Sequence, residues 1–255
     1  MMAGGGTLTG RSAVVTGGGT GVGRGIALAL AAEGAAVMLA GRTRSSLDTT
    51  AREIEIRGGT SRVCVCDVSV EEQIEACVSS TVEAFGTLDI LVNNAALVPH
   101  GTLLEIPDEL VQAAWVTGPV AAMRLMRRCH PYLAGGGVVI NVSSGVSKAS
   151  SAPNRAAYAM IKAALDALTR AAAMEWAVDG IRVNGIMPFA MTDAVAAYMA
   201  GEPERAAATV AQVPLGRIGD PETDIGRAVV FLAGPDAGYL TGATLPLDGG
   251  LAYLR

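Results

Sequence analysis

Aromatic residues are scarce in this chain. Two Trp, five Tyr and three Phe make up only 4% of 255 residues. A core for a chain of this length must therefore come from Ala, Val, Leu, Ile and Met, which carry most of the 51% hydrophobic content. Charge is also sparse, at 17% of residues, and high apolar content with few charges excludes a disordered chain. Lys and Arg number 19 against 24 Asp and Glu, a net charge of −5, and basic residues cluster no further than Arg127-Arg128. That balance excludes a general nucleic-acid binder, which needs a basic face. Only two histidines occur, His100 and His130, and no H-x-x-x-H or carboxylate cluster accompanies them. We expect no metal site and read both as surface or capping residues.

Cysteine is rare as well, at four residues: Cys64, Cys66, Cys77 and Cys129. We place Cys64 and Cys66 on opposite faces of a strand and expect all four to be reduced core thiols of a cytoplasmic protein. Long hydrophobic runs are missing. The longest, Ile26 to Ala40, is broken by Glu33 and Gly34 and is too short to cross a bilayer. Met1 to Gly6 lacks the basic stretch and apolar run of a signal peptide. The expected partner is a small molecule, with no nucleic acid and no membrane.

Glycine, in contrast, is abundant: 32 residues, about one in eight against a usual share of about 7%. No Gly-X-Y period accompanies it, which excludes a collagen-like chain. Apolar, β-rich runs recur at Ser12–Thr16, Ala36–Ala40, Arg62–Val65, Ile90–Asn93, Val138–Val142, Arg182–Ile186 and Ala243–Leu247. Such runs mark strands buried on both faces of a parallel sheet. Helical periodicity fills the gaps at Gly25–Glu33, Val70–Phe85, Ala156–Val178 and Asp220–Leu232. The alternation predicts an α/β fold, a single doubly wound Rossmann-type sheet of about seven parallel strands with helices on both faces. With no linker or repeat, residues 1–255 read as one domain. The stretch 189–213 follows a strand end directly, where ligands bind in open α/β sheets, and reads as a substrate lid. Ala194–Gly201 within it suits a helical turn or two.

The first strand ends in Thr16-Gly17-Gly18-Gly19-Thr20-Gly21-Val22-Gly23 and runs into a helix. Five glycines in seven residues let backbone N–H groups approach a pyrophosphate at a helix N-terminus. Asn93-Asn94-Ala95-Ala96 follows another strand, Ser143-Ser144 another, and Tyr158-Ala-Met-Ile-Lys162 lies on a helix. Pro214-Leu-Gly-Arg-Ile-Gly-Asp-Pro and Leu247-Asp248-Gly249-Gly250 complete an ordered series. From about Arg11 to Ala252 the chain resembles the short-chain dehydrogenase/reductase family.

The resemblance implies an NADP(H)-dependent oxidoreductase, a short-chain dehydrogenase or ketoreductase acting on CH–OH groups by hydride transfer. A 3-oxoacyl thioester, a ketone or a cyclic alcohol is the implied substrate. Tyr158 is the implied general acid or base. Lys162, one helical turn on, is expected to lower the phenol pKa and to hold the nicotinamide ribose. Ser144 is the implied donor to the substrate oxygen, with Ser143 its competitor. The implied cofactor contacts are Gly17, Gly19, Thr20, Gly21, Val22 and Gly23 for the phosphates; Asp67 and Val68 for the adenine; Asn94 and Ala95, after Asn93, near the adenosine ribose; Tyr158 and Lys162; and Pro188 and Thr192 near the nicotinamide. At the end of the second strand Gly41-Arg42 stands where an Asp would select NAD(H). A guanidinium there suits a 2′-phosphate, so NADP(H) is expected over NAD(H), with Arg44 assisting.

Two positions depart from the family pattern. The usual Asn of N-x-x-G, which holds a water in a proton relay, is Trp115 in Trp115-Val116-Thr117-Gly118, read here as a packed core aromatic; Pro119 is expected to kink that helix. Pro188 is followed by Phe189 instead of Gly. The loss of Asn supports an alternative reading, a non-catalytic dinucleotide-binding sensor or scaffold. Met187, Phe189, Met191, Val195, Tyr198 and Met199 are expected to wall a moderately apolar substrate site. The family resemblance implies a homotetramer or homodimer, with the helix around Ala121–Met126 as one interface.

Overall fold

A computed structural model describes residues 6–148 and 153–252, apart from the side chains at 198 and 205. Most of Met1–Gly6 therefore lies outside the described residues, as does the Tyr198 side chain. Seven strands are present: β1 (Ser12–Thr16), β2 (Ala36–Gly41), β3 (Thr60–Val65), β4 (Ile90–Asn93), β5 (Val138–Val142), β6 (Arg182–Pro188) and β7 (Thr244–Leu247). They form one parallel sheet in the order β3-β2-β1-β4-β5-β6-β7. The order reverses direction between β1 and β4, the switch point where ligands enter such sheets. The helices are α1 (Gly21–Ala32), α2 (Arg44–Ile56), α3 (Glu71–Phe85), α4 (Asp108–Trp115), α5 (Ala121–Leu133), α6 (Ala156–Trp176), α7 (Asp193–Gly201), α8 (Pro203–Ala211) and α9 (Arg227–Ala233).

The strands bury both faces because consecutive apolar side chains point to opposite sides. Ala13 and Val15 join one core with Ile26, Leu30, Val37, Ile140 and Val229. Val14, between them, joins the opposite core with Met38, Ile74, Leu125 and Val139. The same rule corrects the cysteine placement. Residues i and i+2 share a face, and the thiols of Cys64 and Cys66 both meet that of Cys77. All four cysteines are free thiols, and only Cys64 is not fully buried.

Part of the glycine surplus serves close packing. A Cβ on Gly25 would lie 2.3 Å from the Pro221 backbone, and one on Gly226 would lie 2.6 Å from Ala29 Cβ. The first turn of α1 thus packs backbone to backbone against the segment that leads into α9. The stretch between β6 and α9 is more helical than its composition suggests. It folds as α7 and α8, and a bridge between Ala190 and Gly219 closes its base.

One face of α5 is closed to a partner: Ala121, Ala122, Leu125 and Met126 are 1–4% exposed inside this chain's own core, while Met123, Arg124, Arg127 and Arg128 lie on its outer side. Trp115 is not a core aromatic. It ends α4 at 40% exposure and lines a shallow surface groove with Val111, Gln112, Val116 and Met160. The expected kink is present as a five-residue π turn, Val116–Val120, with Gly118 at φ −96°, ψ −106° and Pro119 inside it.

Candidate active site

The site gathers at the C-terminal ends of β1, β4, β5 and β6. β1 ends in a glycine turn that the chain cannot build with larger residues. Gly17 has φ +66°, and a Cβ there would sit 2.6 Å from Asn94 Nδ2; one on Gly23 would sit 2.3 Å from Gly17 O. One on Gly19 would meet Ser46 Oγ at 2.5 Å. Thr20 stands extended before α1 and offers no side-chain cap, which leaves the first N–H groups of Gly21, Val22 and Gly23 free for an anion. This bare backbone cradle fits a dinucleotide pyrophosphate.

Asn94 fastens the loop after β4 to that cradle. Its Nδ2 donates to Thr16 O at 2.8 Å, and the Thr16 hydroxyl accepts the N–H groups of Asn94 and Ala95 at 2.9 and 3.0 Å. Asn93 turns inward instead and donates from Nδ2 to Asn141 Oδ1 at 2.8 Å. Val68 is buried, while Asp67 accepts the N–H and hydroxyl of Ser69, which hold its carboxyl below the usual range. The charge of exposed Arg42 acts on Asp67 in the same direction, so the two side chains share one edge of the cleft. Across the cradle, Thr192 Cγ2 would lie 3.1 Å from a Cβ on Gly21. Its hydroxyl accepts from Val195 N–H at 3.2 Å and so caps α7. Pro188 ends β6, and Phe189 N–H donates to Leu247 O at 2.9 Å.

Ser143 and Ser144 leave β5 in opposite directions. The Ser143 side chain is buried, 3.5 Å from Lys162 O, whereas the Ser144 hydroxyl accepts from Val146 N–H at 3.3 Å and lies close enough to Tyr158 to favour its phenolate. The geometry therefore separates two serines that the sequence leaves as competitors. Tyr158 and Lys162 lie one turn apart on α6, with Lys162 Nζ 5.7 Å from the centre of the Tyr158 ring. Burial pushes the Tyr158 phenol above its usual value, opposed by the neighbouring Ser144 hydroxyl and by the charge of Arg155. The expected lowering by Lys162 does not appear. Its ammonium donates to Val142 O at 2.7 Å, and burial brings its own pKa down to about 8.

Three neighbours escape a motif-based reading because only packing brings them together. Asp166, a further turn along α6, is 1% exposed; it accepts from the Ser147 hydroxyl at 2.7 Å, and its charge partly sustains the Lys162 ammonium. Thr117 donates to Ala113 O at 2.9 Å and accepts Leu97 N–H at 3.2 Å. It bonds the π turn to the loop after β4, two residues from where the family Asn is missing. Arg155 lies 5.8 Å from the centre of the Tyr158 ring. Beneath the site a small cavity of about 10 Å³ is lined by Asn93, Gly118 and Lys162 among others. Away from the cleft, His130 bonds Asp179 at 2.9 Å and packs edge-on against Trp176, a capping role.

The sheet order, the glycine cradle and the Ser–Tyr–Lys cluster together define a Rossmann-type oxidoreductase. Residues 17–252 match the family model described as enoyl-(acyl carrier protein) reductase. A 12α-hydroxysteroid dehydrogenase of a Clostridium species is 36% identical over 96% of this chain and 98% of its own. L-xylulose reductase of Mus musculus is 35% identical over 95% and 97%. A dehydrogenase/reductase structure from Sinorhizobium meliloti 1021 superposes with a TM-score of 0.89 at 34% identity, covering 96% of each chain. A 7α-hydroxysteroid dehydrogenase in complex with NADH and 7-oxo glycochenodeoxycholic acid superposes at 0.91 with 31% identity, covering 97% of each. The chain belongs to the short-chain dehydrogenase/reductase family, an oxidoreductase of the alcohol–carbonyl class.

Proposed function

We propose that this protein is an NADP(H)-dependent reductase of ketones and dehydrogenase of secondary alcohols, with Ser144, Tyr158 and Lys162 as its working groups. The observation that carries this reading is the placing of Tyr158 5.7 Å from the Nζ of buried Lys162, with Ser144 beside it, at the strand ends next to a bare glycine cradle. When bound, the nicotinamide supplies or accepts the hydride. Tyr158 Oη–H donates its proton to the substrate oxygen in reduction and takes it back in oxidation. Ser144 hydrogen-bonds the same oxygen and fixes its direction. The Lys162 ammonium, held by Val142 O, is placed to steady the cofactor ribose.

Gly17, Gly19, Thr20, Gly21, Val22 and Gly23 would hold the pyrophosphate, Asp67, Val68, Asn94 and Ala95 the adenosine, and Pro188 and Thr192 the nicotinamide end. Arg42 would pair with the 2′-phosphate; no acidic residue stands beside it on β2 to repel that group. Residues 189–213, built as α7 and α8, would close over a moderately apolar substrate. Phe189, Met191, Val195 and Met199 supply apolar surface there, while Met187 is buried in the sheet. We place the protein in the cytoplasm as a homodimer or homotetramer.

NADPH oxidation with a panel of ketones tests the activity. Turnover is expected, and tight NADPH binding without turnover of any ketone would favour the non-catalytic alternative. Arg42→Asp tests the cofactor assignment. It is expected to weaken NADPH by about tenfold or more, the scale of a lost charged hydrogen bond, and to leave NADH nearly unchanged. Equal losses for both cofactors would overturn the 2′-phosphate assignment.

A further inference from the structure

The partly buried arginines of the described residues satisfy their guanidinium groups on the protein, with one exception. Arg11 donates to Ala233 O and Gly136 O, and Arg182 to Gly234 O. Arg24 pairs with Glu53 and Arg124 with Glu71. Arg155, also partly buried, forms neither a hydrogen bond nor an ion pair. Other arginines without partners, such as Arg127 and Arg170, are exposed, where water satisfies them.

The position of Arg155 is not casual. It immediately precedes α6, three residues before Tyr158, with its guanidinium 5.8 Å from the centre of the Tyr158 ring. The preceding residue accepts a backbone hydrogen bond from Gly101 at 3.1 Å, which joins this corner to the loop after β4. Next to it stands His100, whose pKa is lowered by burial and by the Arg155 charge, so His100 is mostly neutral at pH 7. The other nearby cation, Lys162, is occupied by Val142 O beneath the ring. The corner beside Tyr158 therefore presents one positive charge and five N–H donors in a planar fork, with no acceptor among the described residues.

Partial burial of unsatisfied donors is costly, and a planar carboxylate is the group that satisfies this fork two bonds at a time. A single guanidinium matches a monoanion better than a dianionic phosphate. We propose that Arg155 is a specificity-determining residue and that the substrates are keto acids and hydroxy acids, whose carboxylate it binds while their carbonyl or hydroxyl meets Tyr158 and Ser144. This rests on the oxidoreductase reading above and adds the charge of the substrate to it.

The test compares matched pairs of linear, alicyclic and aromatic keto acids with their methyl esters, 4-oxocyclohexanecarboxylate and its ester among them. Wild-type protein is expected to favour the acids by about tenfold or more in kcat/KM, as one charged hydrogen bond would give, and to lose that preference at high salt. Arg155→Gln is expected to lose about tenfold or more on the acids and less than about twofold on the esters; Arg155→Lys should retain part of the acid preference. Equal losses on acid and ester would show that Arg155 acts on Tyr158 alone and would overturn the proposal, as would a wild-type preference for esters. If no ketone of either kind turns over, the oxidoreductase reading fails instead. Calorimetry of 4-oxocyclohexanecarboxylate with NADPH-loaded wild type and Arg155→Gln then judges the anion site separately. Binding lost in the variant supports the site, and equal or absent binding overturns it.

Discussion

Burial acts in opposite directions on Tyr158 and Lys162. For the phenol it disfavours the anion, so the folded pKa lies above 10 and the group keeps its proton through neutral pH. That is the state needed to donate in reduction. The reductive kcat is expected to stay flat from about pH 6 to 8 and to fall only on the alkaline side, where the phenol begins to ionise. Tyr158→Phe should lower kcat by about a thousandfold while NADPH still quenches intrinsic fluorescence; a smaller loss would remove Tyr158 from the proton step. For Lys162 burial disfavours the cation, and its pKa falls from 10.5 to about 8. A folded pKa below the unfolded one means that the folded state binds the proton less well. The charged lysine therefore opposes folding fully below pH 8, and the penalty fades as pH rises towards 10.5. Lys162→Met removes this titration, so its stability in urea relative to wild type is expected to fall as pH rises from 8 towards 10.5, and it should have almost no activity. A stability difference that stays the same between pH 7 and 10 would contradict the burial argument.

At the scale of elements, the π turn between α4 and α5 is the least regular part of the site. Pro119 lacks an N–H and cannot continue the helical ladder, and Gly118 takes up the bend. The Thr117 hydroxyl then serves two backbone groups, Ala113 O and Leu97 N–H, and couples the turn to the Asn-Asn-Ala-Ala loop. Thr117→Val keeps the shape and removes both bonds. It is expected to cost about 1–3 kcal/mol and to lower kcat several-fold, with Thr117→Ser restoring most of both; unchanged unfolding and kinetics would show that the turn needs no such tie. Trp115 misleads as a sequence feature because α4 lies on the surface: of its eight residues only Ala114 is buried, and the indole at its end stays outside the core. The central strands are legible because double burial makes β1, β2, β4 and β5 near-continuous apolar runs. By contrast, α2 buries only Leu47, Thr50 and Ile54 along its 13 residues; their i, i+3, i+7 spacing is helical, but with so few apolar residues it is easily passed over. Of the lid helices, α7 is legible as the short helical stretch at Ala194–Gly201, whereas α8 is short, Ala-rich and introduced by Pro203, which reads as a loop.

Across the whole molecule, parallel topology brings Gly17, Asn94, Ser144 and Tyr158 to one edge of the sheet, although they are spread over some 140 residues of chain. Their order was readable as motifs, since backbone geometry forces glycine at the turn and a four-residue spacing aligns Tyr158 with Lys162. Arg155, Thr117 and Asp166 were not, because their roles depend on what packs beside them. The same distinction applies to assembly. The family resemblance points to α5 as a contact surface, and the packed structure turns its Ala121, Ala122, Leu125 and Met126 face inward. One apolar surface beside the site is the groove of Val111, Trp115 and Val116 on α4 and the π turn, facing Met160 on α6, with Trp115 40% and Met160 50% exposed. Covering the exposed half of the indole and the thioether would recover about 1 kcal/mol for each, which a second copy of the chain would supply. Because Met160 lies between Tyr158 and Lys162 on the same helix, contact through this groove would also steady the helix that carries the proton donor. Trp115→Glu places a charge in that contact. In sedimentation equilibrium the wild type should run as a dimer or tetramer, and the variant should shift towards the 25.8 kDa chain mass. Its kcat should fall only at protein concentrations where the oligomer has dissociated. A variant that keeps the wild-type mass would move the interface elsewhere, and a monomeric wild type would remove the need for one.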